Sequence, residues 1–325
     1  MELTNFTVLE LDTLNKKLKV VVLTGGIGAE RQISLQSGNC VAEALKQAGF
    51  NVVTFDVRPD RLDILEDDSI DVFFPALHGQ FGEDGQLQGI LEERSLVFTG
   101  SGSAASQAAF EKMTSKKLFS EAGVAVPAAI EFDNQIEVEE FEEQLRYLAD
   151  KYVIKPIRQG SSVGVNIVSK AREAIKTARD TFDQFGDCMI EEFVPGREIT
   201  VGILCGRILP VIEIRTKSSF YNYHAKYVDE QTEFLFDTIS EPSITERIKQ
   251  AALDCFNAVG CRHFARVDFI LGQDNTPYAL EINTIPGFTT HSLLPKAAAR
   301  AGLSMSDLCK KIVGSVTSSL VKYQA

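Results

Sequence analysis

Histidine is scarce and cysteine unpaired in this 325-residue sequence, and each shortage removes a class of chemistry. The four histidines (His78, His224, His263 and His291) show no metal-ligand spacing, which argues against a zinc site. The six cysteines include no C-x-x-C pair and read as buried thiols in a reducing compartment rather than as disulfides. No apolar run approaches transmembrane length. The opening MELTNFTVLELDTLNKK carries acidic residues and lacks the continuous apolar stretch of a secretory leader. Internal repeats and low-complexity linkers are missing as well. Positive charge is in deficit, with 33 Lys and Arg against 45 Asp and Glu for a net charge of -12. That balance argues against a dedicated nucleic-acid binder, although a local basic pocket could still hold a small anion. The expected compartment is the cytoplasm, with neither nucleic acid nor membrane as partner.

What the sequence does contain is a regular alternation of patterns. At 44% hydrophobic and 24% charged residues it has a globular composition, and its length suits two or three packed domains. KVVVLTGG (19–26), NVVTFDV (51–57) and IDVFFPALHG (70–79) are strand-like runs, and SGNCVAEALKQAGF is helical. Residues 1–102 therefore read as an α/β unit with an open, mostly parallel sheet. Within it, Asp84 and Gly85 precede the apolar face of a helix. A second unit, 103–194, opens with SAASQAAFEKMTSKKLFSEAGV, a strongly helical stretch stopped by Gly123 and Pro127. The third, 195–325, begins with ITVGILCG and ILPVIEIRT as an antiparallel pair, so the C-terminal half reads as α+β. There KSSFYNYHAKYVDEQTEF is a polar loop long enough to act as a lid.

The strongest chemical signal is FARVDFILGQDNTPYALEIN (264–283), two apolar strands around a Gly-Asp-Asn turn. If the turn centres between Asp274 and Asn275, Asp268 faces Glu281 and Arg266 faces Asn283. All four polar groups then share one face, while Val267, Phe269, Leu280 and Ile282 point the other way. Opposed carboxylates repel unless a cation lies between them. Three oxygen donors without a soft ligand suit Mg²⁺, which completes its shell with water and substrate phosphates. Arg266 can stabilise charge that develops on a transferring group. The competing reading is a surface salt-bridge ladder.

YVIKPIRQGSSVGV (152–165) is a strand ending in Lys155, a glycine-serine loop and another strand. Gly160 and Gly164 would let backbone N–H groups approach phosphate, Ser161 and Ser162 add donors, and Lys155 supplies a point charge. The order of a P-loop is absent. GGIGAE (25–30) lacks the third glycine of a dinucleotide fingerprint. In MIEEFVPGRE (189–198), the backbone and Glu191 could bond an adenine edge beside the apolar Phe193 and Val194, and Glu198 could bond a ribose hydroxyl. Exposed acids at a strand end are an equal alternative.

Order and spacing together resemble the ATP-grasp superfamily and, more narrowly, the D-alanine–D-alanine ligase family. The resemblance rests on GGIGAERQISLQSG, LHGQFGEDGQLQG, FTGSGSAASQAAFEKMTSK, VIKPIRQGSSVGV, IEEFVPGREITVG, YNYHAKY, ARVDF and EINTIPGFTTHSLLPKAA, from residue 18 to about 312. It implies an ATP-grasp fold whose 103–194 and 195–325 parts are the central and C-terminal subdomains, behind an N-terminal substrate-binding domain. It also implies a reaction in which ATP phosphorylates one D-alanine and the amine of a second displaces the phosphate.

By motif match, the resemblance places ATP with Mg²⁺ or Mn²⁺, two ions per site, at Asp268, Glu281 and Asn283. Lys112, Lys155, Ser162, Glu191, Val194, Glu198 and Lys226 would hold the nucleotide. Glu30 would hold the first ammonium, with His78 near its carboxylate, and Ser292 and the Leu293 N–H would receive the second carboxylate. Glu30, Ser161 and Tyr227 would tie the lid down, and Arg266 with the Gly287 N–H would form the oxyanion hole. The substrates are D-alanine and ATP, and the expected assembly is a homodimer. Related ligases with D-lactate or D-serine as second substrate are the near alternative, and a non-catalytic ATP-binding regulator is the distant one. The sequence departs from the family pattern at Glu111, Glu192 and His224, where Asp, Lys and an acid are common.

Overall fold

The computed structural model describes residues 18–28, 30–216 and 232–320. Strands β1 (Lys19–Gly25), β2 (Asn51–Val57) and β3 (Val72–Pro75) form an all-parallel sheet in the order β2-β1-β3. Val20, Val21, Val22 and Leu23 of β1 have no exposed surface, because both faces of the sheet are covered. Val20 and Val22 pack with Val41 and Leu45 of helix α1 (Arg31–Gln47). Val21 and Leu23 pack with Leu87 and Leu91 of α2 (Gln86–Glu93) on the other side. Each such side chain contributes roughly 1.5–3 kcal/mol.

The strongly helical stretch after residue 103 forms two helices, α3 (Ser103–Phe110) and α4 (Lys112–Glu121). Glu111 breaks it by adopting extended dihedrals and capping α4, its carboxylate accepting the Thr114 N–H at 3.0 Å. The break turns Lys112 away from the axis of α3, and its backbone N–H bonds the Ile157 carbonyl instead.

Two antiparallel sheets follow. The first contains β4 (Ala129–Glu131), β5 (Tyr152–Pro156), β6 (Asn166–Val168) and β7 (Cys188–Glu192), in the order β4-β7-β5-β6. Helices α5 (Val138–Leu148) and α6 (Ala171–Phe185) cover it through Phe141, Leu145, Ala174 and Ala178. The second sheet runs β11-β10-β8-β12-β13, with β9 (Arg207–Ile208) beside β8. Its strands are β8 (Gly196–Leu204), β10 (Ile212–Arg215), β11 (Glu233–Phe236), β12 (Phe264–Gly272) and β13 (Pro277–Asn283). Helix α7 (Pro242–Val259) covers one face, packing Ile248 and Ala252 onto Val201, Val267 and Phe269. A single apolar cluster then joins β1 and β3 to Phe264, Phe288, Leu294 and Leu308. It thereby seats α8 (Leu293–Arg300) and α9 (Met305–Leu320) against the first sheet.

The 264–283 hairpin is paired as expected where the polar groups lie and differently near its turn. Asp268 faces Glu281 and Arg266 faces Asn283, so those numbers sum to 549. Beyond Asp268 the register shifts: Phe269 faces Ala279 and Leu271 faces Pro277, pairs that sum to 548 and centre the turn on Asp274. Leu280 is the extra residue of a β-bulge. A bulge suspends the alternation of faces, so Leu280 and Glu281 both line the same cleft. Leu280 was expected on the opposite face, and the bulge is the physical reason that it is not.

Candidate active site

The cleft between the two antiparallel sheets has a volume of about 450 Å³. Its walls bring together Lys112, Lys155, Ser162, Glu191, Val194, Glu198, Asp268 and Glu281. Phe193 adds apolar surface there, and Ile270 and Leu280 add more that the sequence did not point to. Beside the cleft is a smaller cavity of about 80 Å³, lined by Glu30, His78, Glu83, Ser161, Arg266, Glu281, Asn283, Gly287, Ser292 and Leu293, among others. Glu281 lines both. Lys226, Tyr227 and His224 lie outside the described residues.

Asp268 is buried and its strand lies between β8 and β13, so the polar face is not a surface ladder. Arg266 grips its carboxylate with two bonds, Nε to Oδ1 at 2.9 Å and a terminal nitrogen to Oδ2 at 2.7 Å. Thr200, directly opposite on β8, donates to Oδ1 at 2.5 Å, and the Asn283 amide donates to Oδ2 at 3.1 Å. Lys112 lies 3.8 Å from Glu281 and donates to the Gln159 carbonyl at 2.5 Å. Among the described residues no three His, Cys, Asp or Glu groups cluster to hold a metal. The Asp268 and Glu281 carboxylates and the Asn283 carboxamide make up an all-oxygen set of the kind that suits a hard divalent cation. A half-turn of the Asn283 amide presents its oxygen.

Lys155 points into the larger cleft but is engaged, 3.0 Å from Glu191. Glu191 is 2% exposed and is met on its other oxygen by Lys116 at 2.6 Å. Burial opposes its charge, but the two ammonium groups outweigh burial and hold the carboxyl below its usual range. Its side chain thus lines the cleft while paired with two lysines. A buried carboxylate next to Lys155 calls for such cations, and Lys116, one helical turn after Lys112, was the available signal.

Ser161 and Ser162 carry left-handed φ values of 53° and 58°, which costs roughly 1–3 kcal/mol each. Gly164, at φ 73°, is required by close packing, since a Cβ there would lie 2.8 Å from Phe185 and 2.9 Å from Pro156. Gly160 sits against Glu30, where a Cβ would stand 3.1 Å from its carboxylate. The strained turn delivers the Ser161 hydroxyl as a donor to Glu30, joining the loop to the start of α1.

In the smaller cavity His78 is buried and fully bonded. Its Nε2 lies 2.9 Å from the Ser37 hydroxyl and its Nδ1 lies 3.1 Å from the Ile285 carbonyl. Burial opposes its protonation, but Glu83 at 3.6 Å, then Glu30 and the Ile285 carbonyl, together raise its pKa above the usual value. Ser37 also accepts the Phe288 N–H at 3.3 Å, so His78 and the 285–288 turn share one anchor. Neither Ser37 nor Glu83 was singled out from sequence, although both lie in the motifs SLQSG and GEDG. Ser292 holds the turn by accepting the Thr289 N–H at 3.0 Å and precedes α8, whose first N–H groups have no helical acceptor. Gly287 is needed there, because a Cβ would lie 2.5 Å from the Ser292 hydroxyl.

The family model described as "D-ala D-ala ligase C-terminus" matches residues 118–314, and "D-ala D-ala ligase N-terminus" matches residues 61–101. A D-alanine–D-alanine ligase from Anaeromyxobacter dehalogenans is 40% identical over 299 residues, covering 91% of this chain and 96% of the relative. One from Syntrophotalea carbinolica is 38% identical over 296 residues, covering 91% and 95%. The crystal structure of the Bacillus anthracis ligase complexed with ATP superposes with a TM-score of 0.80 at 32% identity, covering 95% of this chain and all of that one. The D-Ala:D-Ser ligase VanG from Enterococcus faecalis gives 0.79 at 28% identity, covering 92% and 99%. With a family match over most of its length and relatives near 40% identity, the chain belongs to the D-alanine–D-alanine ligase family.

Proposed function

We propose that the chain joins two D-alanines into D-alanyl-D-alanine, the dipeptide of peptidoglycan precursors, with ATP consumed through a D-alanyl phosphate. The observation that carries this reading is the position of Glu281 in the wall of both cavities. A nucleotide in the larger cleft would place its terminal phosphate where the smaller cavity presents an amino-acid carboxylate.

The site has to bring two anions together. Lys112, Lys155 and Arg266 supply positive charge, and the Asp268, Glu281 and Asn283 oxygens would hold Mg²⁺ or Mn²⁺, two ions per site by family resemblance. When bound, the metal neutralises the phosphate oxygens. Glu198 bonds the ribose, while Val194, Leu280 and Ile270 enclose the base. In the amino-acid cavity Glu30 holds the ammonium of the first D-alanine and His78 lies near its carboxylate. That carboxylate oxygen attacks the terminal phosphorus and ADP departs. Ser292 and the Leu293 N–H orient the second D-alanine, whose free amine attacks the acyl carbon. Arg266 and the Gly287 N–H steady the oxyanion until phosphate leaves. Tyr227 and Lys226 belong to the lid that would shield the acyl phosphate from water. We further assign 1–102 to substrate binding, 103–194 to the central nucleotide-binding subdomain and 195–325 to the metal-bearing one. Membership of the ligase family supports a cytoplasmic enzyme, and resemblance supports a homodimer, which sedimentation would test.

The test is phosphate release with ATP and a panel of D-alanine, D-serine and D-lactate. D-alanine alone should suffice as both substrates. Activity that requires D-serine or D-lactate as second substrate would move the chain to the related ligases. ATP binding without turnover on any of them would make it a regulator.

A further inference from the structure

Lys116 does not line either cavity, yet it is one of three charged groups in a buried cluster that does. Lys116, Lys155 and Glu191 are 5%, 7% and 2% exposed, and together they carry two positive charges against one negative. The Lys116 contact to Glu191, at 2.6 Å, is an ion contact rather than an aligned hydrogen bond. Lys155 reaches the other carboxylate oxygen from the cleft side. A surplus cation in so dry a place is costly unless an anion joins it. Burial works most strongly against the Lys116 charge, Glu191 supports it, Lys155 opposes it and Glu192 adds support, so its pKa is lowered to about 8. Glu191 is thus shared by two lysines, one on each carboxylate oxygen.

Lys155 cannot fully serve both Glu191 and a nucleotide phosphate. Whatever charge it turns toward phosphate is charge withdrawn from a carboxylate that has almost no water to replace it. We propose that Lys116 is a positioning residue that keeps Glu191 neutralised from behind, so that Lys155 is free to engage the nucleotide's phosphates. The inference rests on the reading of the larger cleft as the nucleotide site. It assigns Lys116 no contact with the substrate, and its effect is transmitted through Glu191 to Lys155. Without Lys116, Glu191 would hold Lys155 permanently and the phosphates would lose one of their cationic partners.

The distinguishing property is an affinity lost only by ligands that carry phosphate. ADP and adenosine binding should be measured on the full chain for wild type, Lys116→Met, Lys155→Met and the double variant. Lys116→Met should weaken ADP by about 10- to 100-fold, the span expected for a lost charge-assisted contact, while adenosine shifts by less than about threefold. The double variant should bind ADP no worse than Lys155→Met alone, because both changes remove the same contact. Glu191→Gln added to Lys116→Met should return the ADP-to-adenosine affinity ratio to near wild type by releasing Lys155. That pair also serves if the single variant does not fold, since it removes both buried charges, and a ratio as low as that of Lys155→Met would then overturn the proposal. Equal weakening of ADP and adenosine in Lys116→Met, or additive losses in the double variant, would also overturn it. If wild type binds ADP while those results are obtained, the nucleotide-site reading survives and only the role of Lys116 fails. Wild type that binds neither ligand overturns both.

Discussion

The larger cleft takes its walls from strands of two antiparallel sheets, whereas the smaller cavity collects residues from segments as distant as Glu30 and Ser292. In the cleft, charge is stored in pairs that strand register creates: Asp268 opposite Glu281, and Glu191 beside Lys155. In the cavity, the groups meet only because the 285–288 turn and α8 pack against the first sheet, with Ser37 and His78 joining the pieces. A site made by register should tolerate loss of distant contacts, while one made by docking should respond to changes at its seams.

Glu281 belongs to both regions, so its replacement should have the largest effect. Glu281→Gln keeps the shape but removes a charge, and turnover should fall by roughly a hundredfold or more while melting temperature stays within a few degrees. Parallel loss of activity and stability would instead make the pair a structural one. Next, Leu280→Ala should act on the cleft alone, raising KM for ATP about tenfold from roughly 1–3 kcal/mol of lost apolar contact, with KM for D-alanine unchanged. Ser37→Ala should do the converse. By leaving the His78 ring and the Phe288 N–H without their shared partner, it should raise KM for D-alanine several-fold and spare KM for ATP. If Ser37→Ala moved both constants together, the proposed independence of the two regions would fail.

The smallest effect is one of pH on the sheet that supports the cleft. Burial opposes the charge of Glu213, but Arg197, Thr238 and Arg215 outweigh it and lower its pKa to about 2. The unfolded chain binds that proton first as pH falls. The stabilisation is therefore complete above the ordinary value of 4.5 and is lost as pH drops through 4.5 towards 2. Wild type should lose melting temperature across that window more steeply than Glu213→Gln, and identical slopes would show that the ion pairs there contribute nothing.

The contrast between the regions also explains what was legible beforehand. Asp268, Glu281, Arg266 and Asn283 could be placed on one face because alternation and one turn suffice, and the structure keeps that pairing. The same rule misplaced Leu280, since a bulge leaves no mark in an apolar run. Helical periodicity could not announce the break at Glu111, where capping of the next helix competes with continuation. Glu191 could be read as a group near the nucleotide, but its occupation by Lys116 and Lys155 is a tertiary fact. For Glu30, His78, Ser161 and Ser292, only family resemblance could bring the segments together, because no local pattern encodes their packing.

The central claim is that Glu281 marks the junction where ATP phosphorylates D-alanine. The most direct measurement is the time course of phosphate and D-alanyl-D-alanine formation from ATP and D-alanine, with each substrate omitted in turn. The account predicts one phosphate per dipeptide and neither product when either substrate is missing. Phosphate release that proceeds without D-alanine, or D-alanine-independent ATP binding with no dipeptide under any condition, would contradict it.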